Sequence, residues 1–393
     1  MNKQELQQWI KSGDSFVLEK KKLSGDFRGI DLSGGFFDQV DFSGACLDEA
    51  IIKECSFNRC TFDDASLKAA HLTYTNLVEC SCLRIDASGS HWYATSIIKG
   101  QWQQANLQAS QHDKTSLIES DFSNTRWQGA TTFQSSLINT SWQEAELTDC
   151  RMENLSCIDS NLASTHWKNS EIQQSSLINC DLRNADFSET RGFRLNLLES
   201  QVEGLCLDQM QVELPFFYKL DLSQRDFSGT GLIKPQFQES QLQGCNFQGM
   251  ALSQAGFMQA QLQDADFTGA HLEQANFIGA QLQKAVFNQC HLEMALFIKT
   301  NLEAAEFIQV KAEQAQFSEI LGVGVNFSGS DLTSVDFSHA LLQKANLSDC
   351  ELYRTNLHEI IDPDCNWQGS NKEAALDSDP VRQKAEQDAK KAG

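Results

Sequence analysis

Cysteine is the first residue type to consider for chemistry, because thiols form disulfides and bind metal ions. The chain of 393 residues contains 13 cysteines, an odd number, and no C-x-x-C pair. This pattern argues against a disulfide framework or a thiolate metal site. Most of the cysteines have residue numbers that are multiples of five. Other residues with such numbers are usually small, so we interpret these cysteines as reduced and buried. These are Cys55, Cys60, Cys80, Cys150, Cys180, Cys245, Cys290, Cys350 and Cys365.

The histidines show a related regularity. Two pairs, His71 with His91 and His271 with His291, are separated by 20 residues, and His166 shares their slot. If the chain coils every 20 residues, the two rings of a pair stack about 5 Å apart. A zinc site needs three or four ligands, and the sequence indicates no third one. We therefore expect no metal site and no cofactor.

Motifs of catalysis do not occur: the chain has no phosphate-binding loop, no nucleophile elbow and no H-E-x-x-H. Its acids recur at one slot of a repeat rather than in a cleft that would shift their pKa values. We expect no catalytic residues and a protein that is not an enzyme.

A five-residue repeat organises almost the whole chain. From Phe27 to Trp367, 64 of the 69 residues at intervals of five are apolar, against about 28 expected from composition. The exceptions are His112, Thr132, Gly192, Gly322 and Asp362. Two residues before each large apolar residue stands a small one, and the residue between them is often Asp or Asn.

This unit predicts a short extended segment followed by a turn. Residues two apart share one face of a strand, so the small and the large residue point inward and the residue between them points outward. On this assignment, Cys46 and Cys206 are the outward cysteines. Leu and Phe alternate strictly at the large position over residues 242–307, which requires an even number of segments per coil. Four segments fill the axis at normal interior density, and predict about 17 coils over a length of about 80 Å.

The repeats resemble those of the pentapeptide-repeat family. Ala-Asp-Phe-Thr-Gly at 265–269 and Ala-Asn-Phe-Ile-Gly at 275–279 match its motif, and the resemblance covers about residues 23–369. It implies an all-β fold, a right-handed quadrilateral β-helix with a dry core. Because the family is functionally diverse, function must be argued from sites.

Between about residues 190 and 236 the period of five continues, but Leu, Met, Pro and Arg replace the small residue at several positions. We expect an irregular junction at 191–224, between a first block at 23–190 and a regular block at 225–369. A bent coil or extruded loop is expected around five residues, which are interpreted either as a partner-docking patch or as a packing irregularity that caps one block. The five are Leu214, Pro215, Phe216, Phe217 and Tyr218.

The two ends lack the repeat. Residues 1–22 read as an N-terminal cap, with Asn2 to Glu5 resembling a capped helix start that covers the open end of the core. Residues 370–393 form a charged tail that is either partly helical or disordered.

Charge limits the partners. With 31 basic and 53 acidic residues the net charge is −22, which disfavours direct binding to nucleic acid and to anionic membranes. No apolar run approaches the roughly 20 residues of a membrane span. The N-terminal residues carry no export signal, so we expect a cytoplasmic protein, and signal-independent secretion is compatible with this sequence.

Two branches of the family suggest partners. Long two-block members associated with bacterial type VI secretion are similar in pattern, which implies an accessory or adaptor scaffold for spike or effector proteins. The alternative is the branch that mimics DNA and protects topoisomerases such as gyrase from quinolones. In this chain we expect about one net negative charge per 4 Å of solenoid length, whereas duplex DNA carries one per about 1.7 Å. The C-terminal tail also lacks the aromatic residues through which that branch dimerises. The sequence favours a non-enzymatic interaction scaffold of undetermined oligomeric state.

Overall fold

The computed structural model describes residues 1–12 and 17–392, with side chains to residue 389. Residues 13–16 of the predicted N-terminal cap and Gly393 of the predicted tail lie outside the described residues. The chain divides into two compact units, Met1–Val212 and Glu213–Gly393. The five-residue repeat continues through both of them.

Short strands form two sides of each coil in the first unit. They are β1 (Leu18–Glu19), β2 (Phe36–Asp38), β3 (Ile51–Lys53), β4 (Ser56–Asn58), β5 (His71–Thr73), β6 (Asn76–Val78), β7 (His91–Tyr93), β8 (Ser96–Ile98), β9 (Gln111–Asp113), β10 (Ser116–Ile118), β11 (Thr131–Phe133), β12 (Ser136–Ile138), β13 (Arg151–Glu153), β14 (Ser156–Ile158), β15 (Glu171–Gln173), β16 (Ser176–Ile178), β17 (Arg191–Phe193) and β18 (Asn196–Leu198).

These strands pair in parallel across consecutive coils. β1 begins a ladder that continues through β2 and the even-numbered strands to β18, and the odd-numbered strands β3 to β17 form a second ladder. The register is 20 residues, as in His71↔His91, except at the start of the solenoid, where β1 pairs with β2 at a register of 19 residues. The other two sides of each coil meet the next coil through single bridges such as Thr61↔Ser81 and Ser66↔Asp86. The prediction of four five-residue segments per coil is therefore confirmed.

The second unit keeps the same register with fewer regular strands. β19 (Gln211–Glu213) lies at the division between the units, and β20 (Phe216–Tyr218) and β21 (Gly231–Ile233) follow it. Single parallel bridges then connect residues 20 apart, for example Gln261↔Gln281 and Asp266↔Val286. The protein is an all-β parallel solenoid in which about 11 turns carry regular strands, and it has two short helices.

The inward and outward assignment of the repeat is confirmed by burial. Ala265 and Phe267 are fully buried, and Asp266 between them is half-exposed. The Phe267 and Phe287 rings stack with centroids 4.8 Å apart and planes 7° apart. Like therefore packs on like from coil to coil, which makes Phe columns continuous along the core.

The tryptophans of the first unit also lie in the core. Trp92 stacks on His112 at 5.5 Å, and Thr132 follows His112 in the same column, so smaller residues follow the large indole in this column. Three indole N–H groups donate to the hydroxyl two residues earlier, so the small position also satisfies buried donors: Trp92 to Ser90, Trp127 to Thr125 and Trp167 to Thr165.

The outward Asp or Asn has a structural role in the turn. The Asp266 carboxylate accepts a hydrogen bond from the Thr268 N–H at 2.8 Å, and the same contact recurs at Asp121 with Ser123 and at Asn276 with Ile278. This Asx turn begins the corner that the sequence predicted after each large apolar residue.

Helix α1 (Lys3–Lys11) begins with a reciprocal capping box. The Asn2 side chain accepts from the Glu5 N–H at 2.9 Å, and the Asn2 N–H donates to the Glu5 carboxylate at 2.9 Å. Leu6 is fully buried, and Trp9 packs 6.1 Å from Phe37 of the core. The predicted helix start is confirmed.

The C-terminal segment is helical rather than disordered over its described residues. A short 3-10 turn (Lys372–Ala374) precedes helix α2 (Pro380–Ala392). The Lys372 ammonium lies 4.0 Å from the Trp367 ring centroid, and it also pairs with Asp362 at 3.2 Å. The tail therefore packs on the last repeats. Cys365, which the sequence predicts to be buried, is only half-buried there.

Candidate functional site

The predicted docking patch at residues 214–218 is regular solenoid, so the expected extruded loop is wrong. Pro215 and Phe217 are buried in the core, while Leu214, Phe216 and Tyr218 are half-exposed. The backbone N–H of Leu214 donates to Ile233 at 2.8 Å, as a solenoid turn residue does. The larger residues at the small positions are accommodated by the coil, because the segment keeps its register.

The exposed part of this patch is an aromatic pair. The Phe216 and Tyr218 rings stack at 5.8 Å, and the Lys219 ammonium lies 4.9 Å from the Tyr218 ring. The Tyr218 hydroxyl donates to Glu239 at 3.2 Å. Phe216 and Tyr218 are thus the two residues of the predicted patch with rings that a partner can reach, and docking there stays a prediction.

Gly192 explains part of the packing of the irregular junction. Gly192 occupies a large position, and a Cβ there would meet the Ile172 carbonyl oxygen at 2.0 Å. Its backbone is therefore too close to the preceding coil for a side chain, while Leu195 fills the core beside it. Gly192 also lines a surface depression of about 430 Å³ that is bordered by Glu171 and Arg191.

The core of the first unit contains a small cavity that is lined mostly by apolar side chains. It measures about 10 Å³ and is lined by His112, Thr115 and Trp142 among others. The Nδ1 of His112 and the hydroxyl of Thr115 are buried without a partner among the described residues. Burial lowers the pKa of His112 to about 3, so its ring is neutral at pH 7. The space suits one water molecule and no larger ligand.

The predicted histidine stacks are confirmed. The rings of His71 and His91 lie 4.9 Å apart, and those of His271 and His291 lie 4.7 Å apart. The expectation that no third ligand stands near such a pair is wrong for the second one. Glu273 contributes a carboxylate oxygen, and the ligand atoms of His271, Glu273 and His291 all lie within 4.8 Å of one another.

A repeated tripeptide in the sequence could have indicated this third ligand. The tripeptide His-Leu-Glu occurs at 271–273 and again at 291–293, one coil later. The His and the Glu of each tripeptide are two residues apart and point outward, on either side of a Leu that points inward. They must therefore be neighbours on the outer face. The Nδ1 of His271 lies 3.1 Å from the Glu273 carboxylate.

A second cluster joins helix α2 to the solenoid. The Glu386 carboxylate lies 3.2 Å from the Nε2 of His339 and 3.4 Å from the Nε2 of His358. Arg382 pairs with the same carboxylate at 2.8 Å, and its hydrogen bond lowers the pKa of Glu386 to about 2. No local pattern signals this contact, because the repeat ends before α2 begins.

Beside this cluster, a surface groove of about 530 Å³ runs between α2 and the coils, bordered by Leu321, Leu341 and Ala389. In the described ranges of the chain, no helix combines the length and apolar character that crossing a membrane requires.

Family comparisons identify the repeat. A model described as "Pentapeptide repeat region" matches residues 220–297, and a model described as "Pentapeptide repeats (8 copies)" matches residues 26–59, 156–191 and 323–358. These four segments are pentapeptide repeats. The comparison with curated proteins finds no match.

Solved pentapeptide-repeat structures resemble parts of the chain at low identity. Full-length QnrB1, a plasmid-mediated fluoroquinolone resistance protein, is 17% identical, and the match covers 61% of this chain and 98% of QnrB1 with a TM-score of 0.23. HetL, involved in heterocyst differentiation regulation in the cyanobacterium Nostoc sp. strain PCC 7120, is 18% identical over 79% of this chain and 90% of HetL, with a TM-score of 0.13. These likenesses are too distant to transfer a function.

Proposed function

We propose that this pentapeptide-repeat protein is a non-enzymatic scaffold that binds other proteins through its outward side chains. The observation that carries the proposal is the filled core. Large and small inward residues are buried in coil after coil, and the enclosed cavity beside His112 is about 10 Å³. Because the axis has no room for a substrate, the outer faces are what the solenoid offers to a partner.

The finer proposal is an accessory or adaptor role in bacterial type VI secretion, with spike or effector proteins as partners. The irregular block at 23–190, the junction at 191–224 and the regular block at 225–369 support it by their pattern. We also propose a right-handed quadrilateral coil of about 17 turns, which the 20-residue bridges from Asp26↔Cys46 to Asn346↔Asn366 support.

The alternative, a DNA mimic that binds gyrase, is favoured by the net charge of −22. Two features weigh against it. Outward carboxylates such as Asp266 bind backbone N–H groups of their own turns, and others are neutralised by basic partners, as Asp64 is by Arg84 at 2.7 Å. The negative charge therefore serves the turns and local pairs in many places.

Binding of purified candidate partners tests the proposal. Spike and effector components should bind the wild-type protein, and the double variant Phe216→Ala with Tyr218→Ala should bind at least about tenfold more weakly if the patch is used. The matched control is Tyr74→Ala with Tyr93→Ala, an exposed aromatic pair of the first unit with rings 5.6 Å apart. Inhibition of gyrase supercoiling without binding to those components would favour the DNA-mimic alternative and contradict the adaptor role.

A further inference from the structure

Two stacked His-Leu-Glu segments on the second unit carry metal-ligating groups that the scaffold does not need. We propose that His271, Glu273 and His291 bind a divalent transition-metal cation, with Glu293 as a further ligand. The proposal stands apart from the interaction scaffold, because a metal site on an outer face requires no particular protein partner.

The backbone places the four side chains on one strip. His271 and His291 are bridge partners in adjacent coils, and the Leu272 and Leu292 side chains anchor their segments in the core. The His271 Nδ1 faces Glu273 at 3.1 Å, and the His291 Nδ1 faces Glu293 at 3.6 Å. Each imidazole is therefore already aimed at a carboxylate.

The distances suit an ion after small side-chain movements. Zinc binds His nitrogen and carboxylate oxygen at about 2.0–2.2 Å, so two ligands of one tetrahedral ion are separated by about 3.4 Å. The ligand atoms of His271, Glu273 and His291 lie within 4.8 Å of one another. Because both rings are at the surface, with side-chain exposures of 52% and 32%, rotation of the side chains can bring them together while the coils stay fixed.

The Oε2 of Glu293 is buried and has no hydrogen-bond partner among the described residues, although the side chain as a whole is 33% exposed. Gln263 and Gln283, in the same slot of the repeat, also have an unpartnered side-chain oxygen. A buried carboxylate oxygen without a partner is costly, and a cation bound between the stacked segments would supply one.

A hydrogen bond from a neighbouring coil already orients one of the carboxylates. The Ser253 hydroxyl donates to the Glu273 carboxylate at 2.6 Å, as an outer-shell partner of a metal ligand does. Imidazole nitrogens and carboxylate oxygens together form a donor set that suits Zn²⁺ or Co²⁺.

The other histidine stack shows what the site requires. His71 and His91 stack at a similar distance, but Thr73 and Tyr93 stand where Glu273 and Glu293 stand in the second unit. The His91 Nδ1 faces the Gln111 amide oxygen at 3.0 Å. This pair therefore offers two imidazoles but no carboxylate two residues after either His. It is a matched control for the proposed metal site.

The cluster of His339, His358 and Glu386 is a weaker metal candidate because its carboxylate is already paired with a cation. Arg382 lies 2.8 Å from the Glu386 carboxylate, and the backbone N–H of Asp379 donates to the His358 Nδ1 at 3.1 Å. A metal ion would have to compete with the Arg382 guanidinium for the same carboxylate. We interpret this cluster as a contact that holds helix α2.

Calorimetric titration of the untagged full-length protein with ZnCl₂ at pH 7.5 tests the site, and the visible absorption of bound Co²⁺ reports its ligands. We expect one ion per chain, and His271→Ala, His291→Ala or Glu273→Gln to weaken binding at least about tenfold. Circular dichroism of each variant should match the wild type, because these side chains are outward.

The control His71→Ala with His91→Ala should leave zinc affinity unchanged. Absence of zinc binding to the wild-type protein would overturn the proposal. So would unchanged affinity in His271→Ala and His291→Ala, or a loss confined to Glu386→Gln, which would move the site to α2. None of these outcomes bears on partner binding, so the scaffold proposal is tested separately.

Discussion

At the scale of single residues, the turn position is the most strained part of the repeat. The second residue after the large apolar residue has a left-handed backbone in nearly all repeats, with φ of +57° at Gln259, +61° at Gln289 and +60° at Met294. Glycine and Asn adopt this region readily, whereas other residues pay about 1–2 kcal/mol. The many Gln and Lys residues here show that ladder hydrogen bonds and core packing over-determine the turn.

Gln289 provides a test of this strain because it is exposed. We expect Gln289→Gly to leave the midpoint of guanidinium unfolding unchanged or slightly higher, since glycine has no Cβ to oppose the turn. Gln289→Val should lower the free energy of unfolding by about 1–2 kcal/mol, because a β-branched residue fits this region poorly. Equal stability of the two variants would contradict the strain.

Thiol reactivity is a second residue-scale prediction. Burial raises the pKa of Cys55, Cys150 and Cys290 to about 12, so these thiols stay protonated and covered at pH 8. A disulfide reagent such as DTNB should react first with Cys46, which is half-exposed and outward.

Cys206 is also outward and half-exposed, so the native protein should show a fast phase that the double variant Cys46→Ser with Cys206→Ser removes. All 13 thiols should react after unfolding in guanidinium. Rapid reaction of many thiols in the native protein would contradict the inward placement of the cysteines.

At the scale of elements, helix α2 is held by polar contacts rather than by an apolar face. Glu386 accepts from Arg382 and faces His339 and His358, and Gln383 donates to Glu359. The contact is therefore sensitive to protonation. The folded pKa of Glu386, about 2, lies below its ordinary 4.5, so its stabilising contribution is present above about pH 4.5 and is lost as the pH falls towards 2.

Glu386→Gln tests this docking. At pH 7 we expect faster amide hydrogen exchange over residues 380–392 in the variant than in the wild type. The difference should shrink as the pH is lowered from 4.5 towards 2, since wild-type Glu386 then becomes protonated. Glu373→Gln, a change in the preceding 3-10 turn, is the matched control and should have no effect. Equal exchange of α2 in the wild type and Glu386→Gln at pH 7 would show that the cluster does not hold the helix.

The elements also show why some features follow from sequence and others do not. The period of five alone predicts the inward column of Phe267 and Phe287, because side-chain alternation is local. The sequence did not predict the regular course of Phe216–Tyr218, since the spacing of residues does not show whether a coil can accommodate larger side chains at the small positions. The docking of Glu386 depends on a fold-back of the chain that no repeat encodes.

The candidate site divides in the same way. The histidine stacks follow from the 20-residue coil, and Glu273 was readable from the repeated His-Leu-Glu. The unpartnered Oε2 of Glu293 and the Ser253 contact depend on side-chain rotamers, which spacing does not determine.

At the scale of the whole molecule, the inward positions of the repeat are closely packed, whereas the outward positions carry many different residue types. Pentapeptide repeats fill the inward positions with Ala, Leu and Phe, and leave Asp, Gln, His and Glu on the outer faces of each unit. A protein built this way changes its partners by changing outward residues without altering its core. Both the scaffold and the metal proposal depend on that separation.

Tryptophan substitutions at two neighbouring positions measure this separation directly. Ala305 is fully buried, whereas Glu306 is exposed and accepts a bond from Asn288 at 3.0 Å. In guanidinium unfolding, Ala305→Trp should cost about 1–3 kcal/mol or more through overpacking, and Glu306→Trp should stay within about 0.5 kcal/mol of the wild type. Equal tolerance at both positions, or a larger loss at Glu306, would contradict the inward and outward assignment on which the account rests.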